Sequence, residues 1–600
     1  MSYSSLETSY AVSPSEQYSD RLAQREASLA RLDRLDGRVG SARLVLAAVF
    51  LTLAWGCSGH RVSPAWLLVP TSLFTAVVLY HQRVRGLQSL ARRAVTFYRA
   101  GLERMRGQRL DGGATGDQFK DEHHLYGADL DLFGRQSLYE GLCTARTPMG
   151  ADTLARWLLA PAALETIRAR QTCVSELRGR IDLREDLAVL GEPQRIALHA
   201  DTLGKWASAP SELSRGWLRI AVILLVAAAA ATAGIWAIWG LAFPFLAVLL
   251  VEASLTYAFR TQVHAAVSGV EHAYEDLRLF AALLRRIEAE SFDAPPLRTL
   301  KEELSSHSLT ASTTLSKLAT LVNFVEARRN PFLTPLLLPL MYTIHSALAA
   351  ERWRQRHGHV VQSWLGVLGD IEALQSIAAY SFERPAEPFP EFLDGPPAFI
   401  ATGLGHPLIS LQARVRNDVD ISGETRVLLV SGSNMSGKST LLRSVGINTV
   451  LAMAGAPVCA ARLRLTPVQV GASIRVNDSL YEGSSRFYAE ITRLRQLFEP
   501  AKLPLLFLLD ELLQGTNSTD RRIGAQGVIR ALIERGAIGL ISTHDLALTD
   551  GIVLEPGALK NVHFQDELLD GELKFDFKLR DGVATKSNGI ELMRAIGLDI

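Results

Sequence analysis

The chain has 600 residues, which is too long for a single hydrophobic core, so several structural units are expected. Its 63 Lys and Arg nearly balance its 62 Asp and Glu, and this argues against a chain-wide basic surface for nucleic acid. The cysteines, Cys57, Cys143, Cys173 and Cys459, show no CxxC or metal-ligand spacing, which indicates reduced thiols in a cytosolic environment and argues against a disulfide framework.

The N-terminal region combines a charged helix with two apolar runs. The first forty residues are polar and charged, so no cleavable signal peptide is expected, and residues 15–43 have helical spacing. The runs at 44–59 and 66–80 are short for a bilayer span of ~20 residues, and buried core helices are the alternative. Arginines are more frequent outside the pair than within its link, which favours a transmembrane hairpin with both ends in the cytoplasm. We assign residues 1–107 to this helix and first hairpin.

A second and stronger hairpin is predicted at 220–239 and 241–259. Each half is long enough to cross a bilayer, and Gly240 and Pro244 mark the reversal between them. Arginines at both ends again predict cytoplasmic flanks, whereas a pair of buried helices in a soluble core is the alternative. Glu252 would then lie inside the bilayer, where it either has a function, reaches the interface or bonds to a neighbouring helix.

The regions beside this hairpin are predicted to be helical. Periodic Leu, Ala, Glu and Arg at 265–330 and 350–385 indicate paired helical arms. The oily segment from Pro331 contains three prolines. As a fifth membrane span it would place the C-terminal domain outside the cell, so we expect a buried helix instead. We assign residues 120–395 to a helical core and lever region that the second hairpin interrupts.

From about residue 400 to 600 the pattern changes to alternating strands and helices, typical of an α/β domain with a parallel-rich sheet flanked by helices. An apolar strand at 427–430 leads into a G-x-x-x-x-G-K-[ST] phosphate loop. Backbone N–H groups of such a loop surround nucleotide phosphates. Lys438 would reach the β- and γ-phosphates, and Ser439 would bind Mg²⁺. The predicted ATP-binding residues are Gly432, Ser433, Asn434, Met435, Ser436, Gly437, Lys438, Ser439 and Thr440.

Two further strands end in polar residues that suit ATP hydrolysis. The run "LPLLFLLDE" ends in Asp510, which would hold the Mg²⁺, and Glu511, which would polarise the attacking water. The run "AIGLISTH" ends in His544, which would contact the γ-phosphate. Lys438, Glu511 and His544 are therefore the predicted catalytic residues, with Ser439 and Asp510 as the metal ligands.

The motifs of this domain resemble those of the MutS family, an ABC-like group of ATPases. "NMSGKSTLLR" resembles the family's phosphate loop, and "GVATKSNGIELMRAIGL" resembles its closing segment. "SSRFYAE" is similar to the family's S-x-F-x-x-E segment, with Ser485, Phe487 and Glu490 at matching positions. "DELLQGTNSTD" resembles D-E-x-x-x-G-T-x-x-x-D and ends at Asp520. The resemblance implies a homodimer in which Ser485 and Asp520 contact the nucleotide of the opposite subunit.

The resemblance extends upstream and also has limits. Residues 129–162 and the segment "GHPLI" at 405–409 are similar to the start of the MutS helical core and to its junction with the ATPase. The family's mismatch-reading N-terminal domain uses a Phe-x-Glu wedge, and no Phe-x-Glu occurs before residue 130. We therefore expect a membrane-anchored variant without the mismatch-recognition domain.

The substrate of the arms is left open by the sequence. Residues 260–400 contain 13 Lys and Arg against 16 Asp and Glu, so DNA binding and simple solvated helices are equally compatible with this composition. We expect a dimeric ATPase at the inner membrane, with both termini cytoplasmic, whose arms act on DNA in the manner of mismatch repair. The alternative is an ATP-driven scaffold or mechanoenzyme acting on an unidentified protein or lipid partner. An ABC half-transporter is disfavoured because "SSRFYAE" stands where such transporters have L-S-G-G-Q.

Overall fold

The fold was analysed in a computed structural model. It describes residues 13–58, 63–107, 113–191, 200–210, 213, 216–270, 273–305, 310–327, 338–433, 435–475, 486–499, 502–514, 516–544, 556–569 and 572–583. The chain divides into two compact units. The first contains Met1–Thr144, Leu154–Gly179 and Leu374–Ile600, and the second contains Ala145–Thr153 and Arg180–Ala373.

The helices of the described residues fall mainly before residue 384. In chain order they are α1 (Pro14–Ser58), α2 (Leu68–Met105), α3 (Leu138–Leu142), α4 (Pro148–Leu159), α5 (Leu164–Leu177), α6 (Ile181–Leu190), α7 (Ala200–Ser208), α8 (Gly216–Trp239), α9 (Phe243–Ala258), α10 (Arg260–Val267), α11 (Tyr274–Glu288), α12 (Pro295–Leu304), α13 (Ala311–Ala327), α14 (Tyr342–Glu383), α15 (Lys438–Ala454), α16 (Arg486–Leu497) and α17 (Ser518–Glu534).

In the first unit, α1 and α2 form the predicted N-terminal hairpin. Two side-chain pairs show that the helices run antiparallel: Glu26 of α1 pairs with Arg99 of α2, and Asp36 of α1 pairs with His81 of α2. The predicted charged helix and first apolar run are one continuous 45-residue helix. Near the tip the apolar side chains face outwards, and Trp55, for example, is 83% exposed. Both helices are long and apolar enough to cross a membrane by length and composition.

In the second unit, α8 and α9 form the second hairpin, and the turn lies where the sequence predicts it. Gly240 follows α8 with a left-handed φ of 73°, a conformation that ends helices and favours glycine. Pro244 lies in the first turn of α9, where its missing N–H costs no helical hydrogen bond. By length and composition α8 can span a membrane, and so can α9 with α10 if the pair, bent by 61°, is one span.

The base of the second hairpin packs on the start of α14. Leu218 and Val222 of α8 form one buried cluster with Ile344 and Ala347 of α14. The described part of the oily segment after Pro331 runs into helix α14 and is largely buried, although Leu340 is 46% exposed, while residues 331–337 lie outside the described residues. Glu252 is 3% exposed, and neither carboxylate oxygen has a hydrogen-bond partner within the described part of the chain. Of the alternatives for Glu252, a bond to a neighbouring helix is thus not seen among the described residues.

The C-terminal part of the first unit contains two sheets. The strands are β1 (Glu391–Phe392), β2 (Phe399–Leu404), β3 (Asn417–Ile421), β4 (Val427–Ser431), β5 (Arg462–Leu465), β6 (Gln469–Ser473), β7 (Leu505–Asp510), β8 (Ile538–Thr543), β9 (Leu559–Leu569) and β10 (Glu572–Asp581). The described strands form a small mixed sheet, β1-β5-β2-β3, and a larger one, β10-β9-β4-β8-β7-β6.

The larger sheet is parallel except for its β9–β10 edge, as the sequence predicts for this domain. Its central strands β4 and β8 are buried along their whole length, which is why they are continuous apolar runs in the sequence. Apolar side chains of β4, β7, α16 and α17 share one core with this sheet.

Candidate nucleotide site

The carboxyl ends of three neighbouring strands bring the predicted site residues to one edge of the larger sheet. In the register, Ser431 of β4 pairs with Thr543 of β8, and Asp510 of β7 pairs with Ser542 of β8. The phosphate loop follows Ser431, Glu511 follows Asp510, and His544 follows Thr543. An edge at the carboxyl ends of parallel strands is the usual place for a ligand in α/β sheets.

The phosphate loop has backbone angles that require glycine at two positions. Gly432 has φ 150°, and a Cβ there would lie 2.9 Å from Oγ of Ser436 and 3.2 Å from the backbone oxygen of Phe564. Gly437 has φ 105° at the start of α15, where a Cβ would lie 3.2 Å from the ring of Phe577. The loop therefore keeps an open backbone cradle at a helix N-terminus, where anions bind.

Polar groups inside this cradle are positioned for phosphate oxygens. Nζ of Lys438 donates hydrogen bonds of 2.8 Å to the backbone oxygens of Gly432 and Ser433, so the lysine folds over its own loop. The hydroxyls of Ser433 and Ser436 are buried and have no hydrogen-bond partner within the described residues. Burying a hydroxyl without a partner is costly, so these donors fit a ligand rich in acceptors such as a triphosphate.

Other predicted residues of the loop differ in how far the structure places them. Met435 is exposed and has a left-handed φ of 71°, and Thr440 is exposed in the first turn of α15. Ser439 is partly buried beside Lys438, whereas Asn434 lies outside the described residues.

Asp510 and Glu511 are oriented by a residue that motif analysis did not identify. Oγ of Ser542 donates a hydrogen bond to Oδ1 of Asp510, and it accepts one of 3.1 Å from the backbone N–H of Glu511. Within the described part of the chain, the second oxygen of Asp510 is available for a cation. The sequence signal for Ser542 was weak, because a serine in an apolar strand has no spacing that distinguishes it.

Glu511 is also contacted from two sides by side chains. Nδ1 of His544 lies 3.2 Å from Oε1 of Glu511, so the two predicted catalytic residues are brought together. Nε2 of Gln514 donates a hydrogen bond to Oε2 of the same carboxylate. A carboxylate held between an imidazole and an amide can accept a proton from a water aligned between them.

An aromatic ring beside the phosphate loop was also missed by sequence reasoning. Phe577 is 40% exposed, has φ 53° and lies against Gly437. Asn417 holds this backbone by donating to the oxygen of Phe577 at 2.9 Å and accepting from the N–H of Leu579 at 2.8 Å. An exposed ring next to a phosphate site is suited to stack on a nucleobase. The alternation of apolar residues in β10 gave no sign of it.

Of the two residues predicted to act across a dimer, the structure describes Asp520. Asp520 is exposed in the first turn of α17, where its backbone N–H bonds to the side chain of Asn517 at 2.8 Å. Phe487 and Glu490 belong to α16, and Glu490 is buried. Ser485 directly precedes α16 and lies outside the described residues, as does the closing segment from residue 584.

Comparison with known proteins identifies the family of this domain. Residues 428–599 match the model of MutS domain V. The chain is 32% identical over 250 residues to DNA mismatch repair protein MutS 2 of Halobacterium salinarum, a match covering 41% of this chain and 29% of that protein. It is 33% identical over 263 residues to DNA mismatch repair protein MutS of Brevibacillus brevis, covering 43% and 30%. The matches thus span less than a third of these curated relatives.

Proposed function

Since the chain belongs to the MutS family through its C-terminal region, we propose that it is a membrane-anchored, dimeric ATPase whose nucleotide state moves its helical arms. One observation carries the enzymatic part. A glycine cradle, whose buried hydroxyls have no hydrogen-bond partner among the described residues, adjoins a carboxylate pair and a histidine at the same sheet edge. That combination fits binding of ATP and hydrolysis of its terminal phosphate.

The described residues suggest how each group acts. Lys438 would contact the β- and γ-phosphates with the same Nζ that donates to the backbone oxygens of Gly432 and Ser433. Glu511 would accept the proton of the attacking water, and His544 would hold that carboxylate and face the γ-phosphate. Ser439 and Asp510 would hold Mg²⁺, which when bound neutralises charge on the phosphates.

The membrane and dimer assignments rest on different features. Leu44, Trp55 and other apolar side chains of both hairpins are exposed, and a surface of this kind is stable in lipid but not in water. Both ends of each hairpin would then lie in the cytoplasm of an inner membrane, together with the ATPase. Two residues support the proposed dimer: Asp520, which is exposed on α17, and Ser485, which comes just before α16 in the sequence. Both match motif positions that, in the MutS family, contact the nucleotide of the opposite subunit.

DNA is the first candidate for the substrate of the arms, because the curated relatives are named DNA mismatch repair proteins. A protein or lipid partner is the second candidate. It is favoured by the composition of residues 260–400, which contain 13 Lys and Arg and 16 Asp and Glu and are therefore slightly acidic. Clamping the DNA backbone requires clustered basic side chains.

The enzymatic proposal is tested on the full-length protein in lipid nanodiscs. We expect Mg²⁺-dependent release of phosphate from ATP, and a loss of at least ~100-fold in Lys438→Ala, since an electrostatic contact to the transferred group is removed. Lys560→Ala is the matched control, because Lys560 belongs to the same domain and is half exposed. Equal activity in Lys438→Ala and wild type would refute the assigned site.

The substrate is tested separately. DNA retention is measured with and without ATP at low salt, on mismatched, branched and plain duplexes. Nucleotide-dependent retention supports the DNA candidate. Its absence, together with protein or lipid adducts from crosslinkers placed in α11 or α13, supports the second candidate.

A further inference from the structure

The loop that follows Glu511 is held at Leu513 by side chains from two helices. The backbone N–H of Leu513 donates a hydrogen bond of 2.5 Å to Oε1 of Glu490, on α16. The backbone oxygen of Leu513 accepts a hydrogen bond of 3.2 Å from Nε of Arg521, on α17. Arg521 also donates to the oxygen of Gln514 at 3.0 Å. Both polar groups of this residue are therefore fixed by side chains from outside the loop.

The conformation of the loop needs such support. Glu511 has φ 52° and Leu513 has φ 57°, so two residues with a Cβ adopt the left-handed region within three positions. Residues other than glycine rarely occupy this region unless the surroundings hold them there. Leu513 is also buried in the core that includes residues of α16 and α17. Because Gln514 bonds to the Glu511 carboxylate, the position of Leu513 determines where that carboxylate lies.

The first of these helices is itself fixed to a segment outside the loop. Nη2 of Arg493 on α16 lies 2.8 Å from Oδ2 of Asp129, a buried carboxylate that also accepts from the N–H groups of Ile474 and Arg475. Asp129 accepts a hydrogen bond from Nε of Arg443, on the phosphate-loop helix, through its backbone oxygen. A displacement of α16 would therefore shift both Leu513 and, through Asp129, the helix α15 that follows the phosphate loop.

One residue assigned to the dimer interface lies on α17, and the other comes just before α16 in the sequence. Ser485 directly precedes α16, and Asp520 is the residue before Arg521 on α17. We propose that Glu490 and Arg521 are positioning residues that transmit the nucleotide occupancy of the opposite subunit, through Leu513, to the Glu511 of their own chain. This inference rests on the proposed dimeric ATPase. Each subunit would then hydrolyse ATP efficiently only when α16 and α17 are docked on an occupied partner.

The first experiment compares variants that remove or retain the hydrogen bond to Leu513. Glu490→Met and Arg521→Met remove it, whereas Glu490→Gln and Arg521→Lys retain an acceptor or a donor. Glu499→Met and Arg522→Met are matched controls, because both residues are exposed near the same helices. We expect kcat to fall at least ~10-fold in the two removing variants, since a small displacement of a catalytic group has this effect. The Kd for ATP should change less than ~2-fold, and the retaining variants should recover most of kcat.

The same variants test communication between subunits. In wild type we expect a Hill coefficient for ATP above 1, and in Glu490→Met a coefficient of 1. A merely structural role would lower stability and leave the cooperativity of the remaining activity unchanged. Wild-type kcat in both removing variants would overturn the inference, and so would a wild-type Hill coefficient of 1. A loss of kcat and ATP affinity together, without recovery in the retaining variants, would also overturn it.

A mixed dimer separates action within a chain from action across the interface. One subunit carries Glu490→Met and the other carries Glu511→Gln. If Glu490 positions the Glu511 of its own chain, both sites are impaired and turnover falls to the level of the variant homodimers. Retention of half the wild-type activity would overturn the inference. A wild-type protein that hydrolyses no ATP would instead refute the proposed function, so the two failures are distinguishable.

Discussion

Arg104 and Glu383 form a buried two-pronged ion pair in the first unit. Nε of Arg104 donates to Oε2 of Glu383 at 3.0 Å, and Nη2 donates to Oε1 at 2.5 Å. Arg104 belongs to the last turn of α2 and Glu383 is the last residue of α14. Tyr18 of α1 packs on Phe382 beside them, with ring centroids 5.2 Å apart. The base of the first hairpin is thus fixed to the helix end that leads into the C-terminal sheets.

We expect Arg104→Met to destabilise this junction strongly. The change leaves the Glu383 carboxylate buried without its partner, a situation that costs about 3–5 kcal/mol. The measurement is thermal unfolding in detergent combined with protease cleavage after residue 383. The double variant Arg104→Met with Glu383→Met should recover most of the loss.

Arg99→Met is the matched control for this pair. Arg99 pairs with Glu26 on the same two helices, but its side chain is 61% exposed, and exposed pairs contribute at most about 1 kcal/mol. An equal shift in the two single variants would show that the buried pair has no special role.

The aromatic ring beside the phosphate loop gives a prediction about nucleotide affinity. We expect Phe577→Ala to raise the Kd for ATP by roughly tenfold, because stacking of a base on an aromatic ring contributes ~1–3 kcal/mol. Phe577→Tyr keeps the ring and should bind ATP normally. Titration with a fluorescent ATP analogue measures both. Unchanged affinity in Phe577→Ala would place the base elsewhere.

Glu511→Gln separates ATP binding from hydrolysis. The amide cannot accept the proton of the attacking water, so turnover should fall ~10²–10⁴-fold while ATP remains bound. Bound nucleotide should also increase the dimer fraction in light scattering. His544→Ala is the comparison, because the histidine contacts the same carboxylate and its loss should reduce turnover less. Fast turnover in Glu511→Gln would assign the base to another residue.

A buried carboxylate in the second unit predicts a dependence of stability on pH. Burial raises the pKa of Glu372 to about 7, although hydrogen bonds from Thr147 and the N–H of Arg146 oppose the shift. A raised pKa means that the folded state keeps its proton longer than the unfolded state. The contribution of Glu372 to the free energy of unfolding is therefore fully present below about pH 4.5. It decreases by up to about 3 kcal/mol as the pH rises to about 7.

The midpoint of thermal unfolding, measured between pH 5 and 8, checks this prediction. Glu372→Gln should show a smaller decrease with pH than wild type, because its side chain cannot ionise. Glu302→Gln is the control, since Glu302 is exposed on α12 in the same unit. If the pH dependence of Glu372→Gln equals that of wild type, another group causes it.

The parts of the molecule that the sequence predicts are those set by local pattern. The phosphate loop, Asp510 and His544 follow buried apolar strands, and parallel pairing brings such strand ends together whatever the rest of the fold. Gly240 marks the turn of the second hairpin because a left-handed residue is needed there.

The parts that the sequence does not predict depend on contacts between distant residues. Ser542 bonds to the carboxylate of Asp510 and Gln514 to that of Glu511, yet neither residue lies in a distinctive sequence pattern. The left-handed φ of Leu513 contradicts its local preference and is explained by contacts from α16 and α17. Pairing such as that of Arg104 with Glu383 joins residues 279 positions apart, and composition alone gives no sign of it.

The native cysteines report on the proposed membrane topology. Cys57 lies in the last turn of α1, at the tip of the first hairpin, whereas Cys143, Cys173 and Cys459 belong to the remainder of the first unit; all four are free thiols. If the hairpin spans the inner membrane, a maleimide that cannot cross lipid should label Cys57 from the outer face of intact spheroplasts. Cys143 should then react only after the membrane is opened, because its side of the membrane would be the cytoplasm. Cys173 and Cys459 should in addition require denaturation, because both are buried. Cys57→Ser should abolish the external labelling. Labelling of Cys57 only after lysis would show that the first hairpin does not cross the bilayer, and the anchor would then reside in the second hairpin alone.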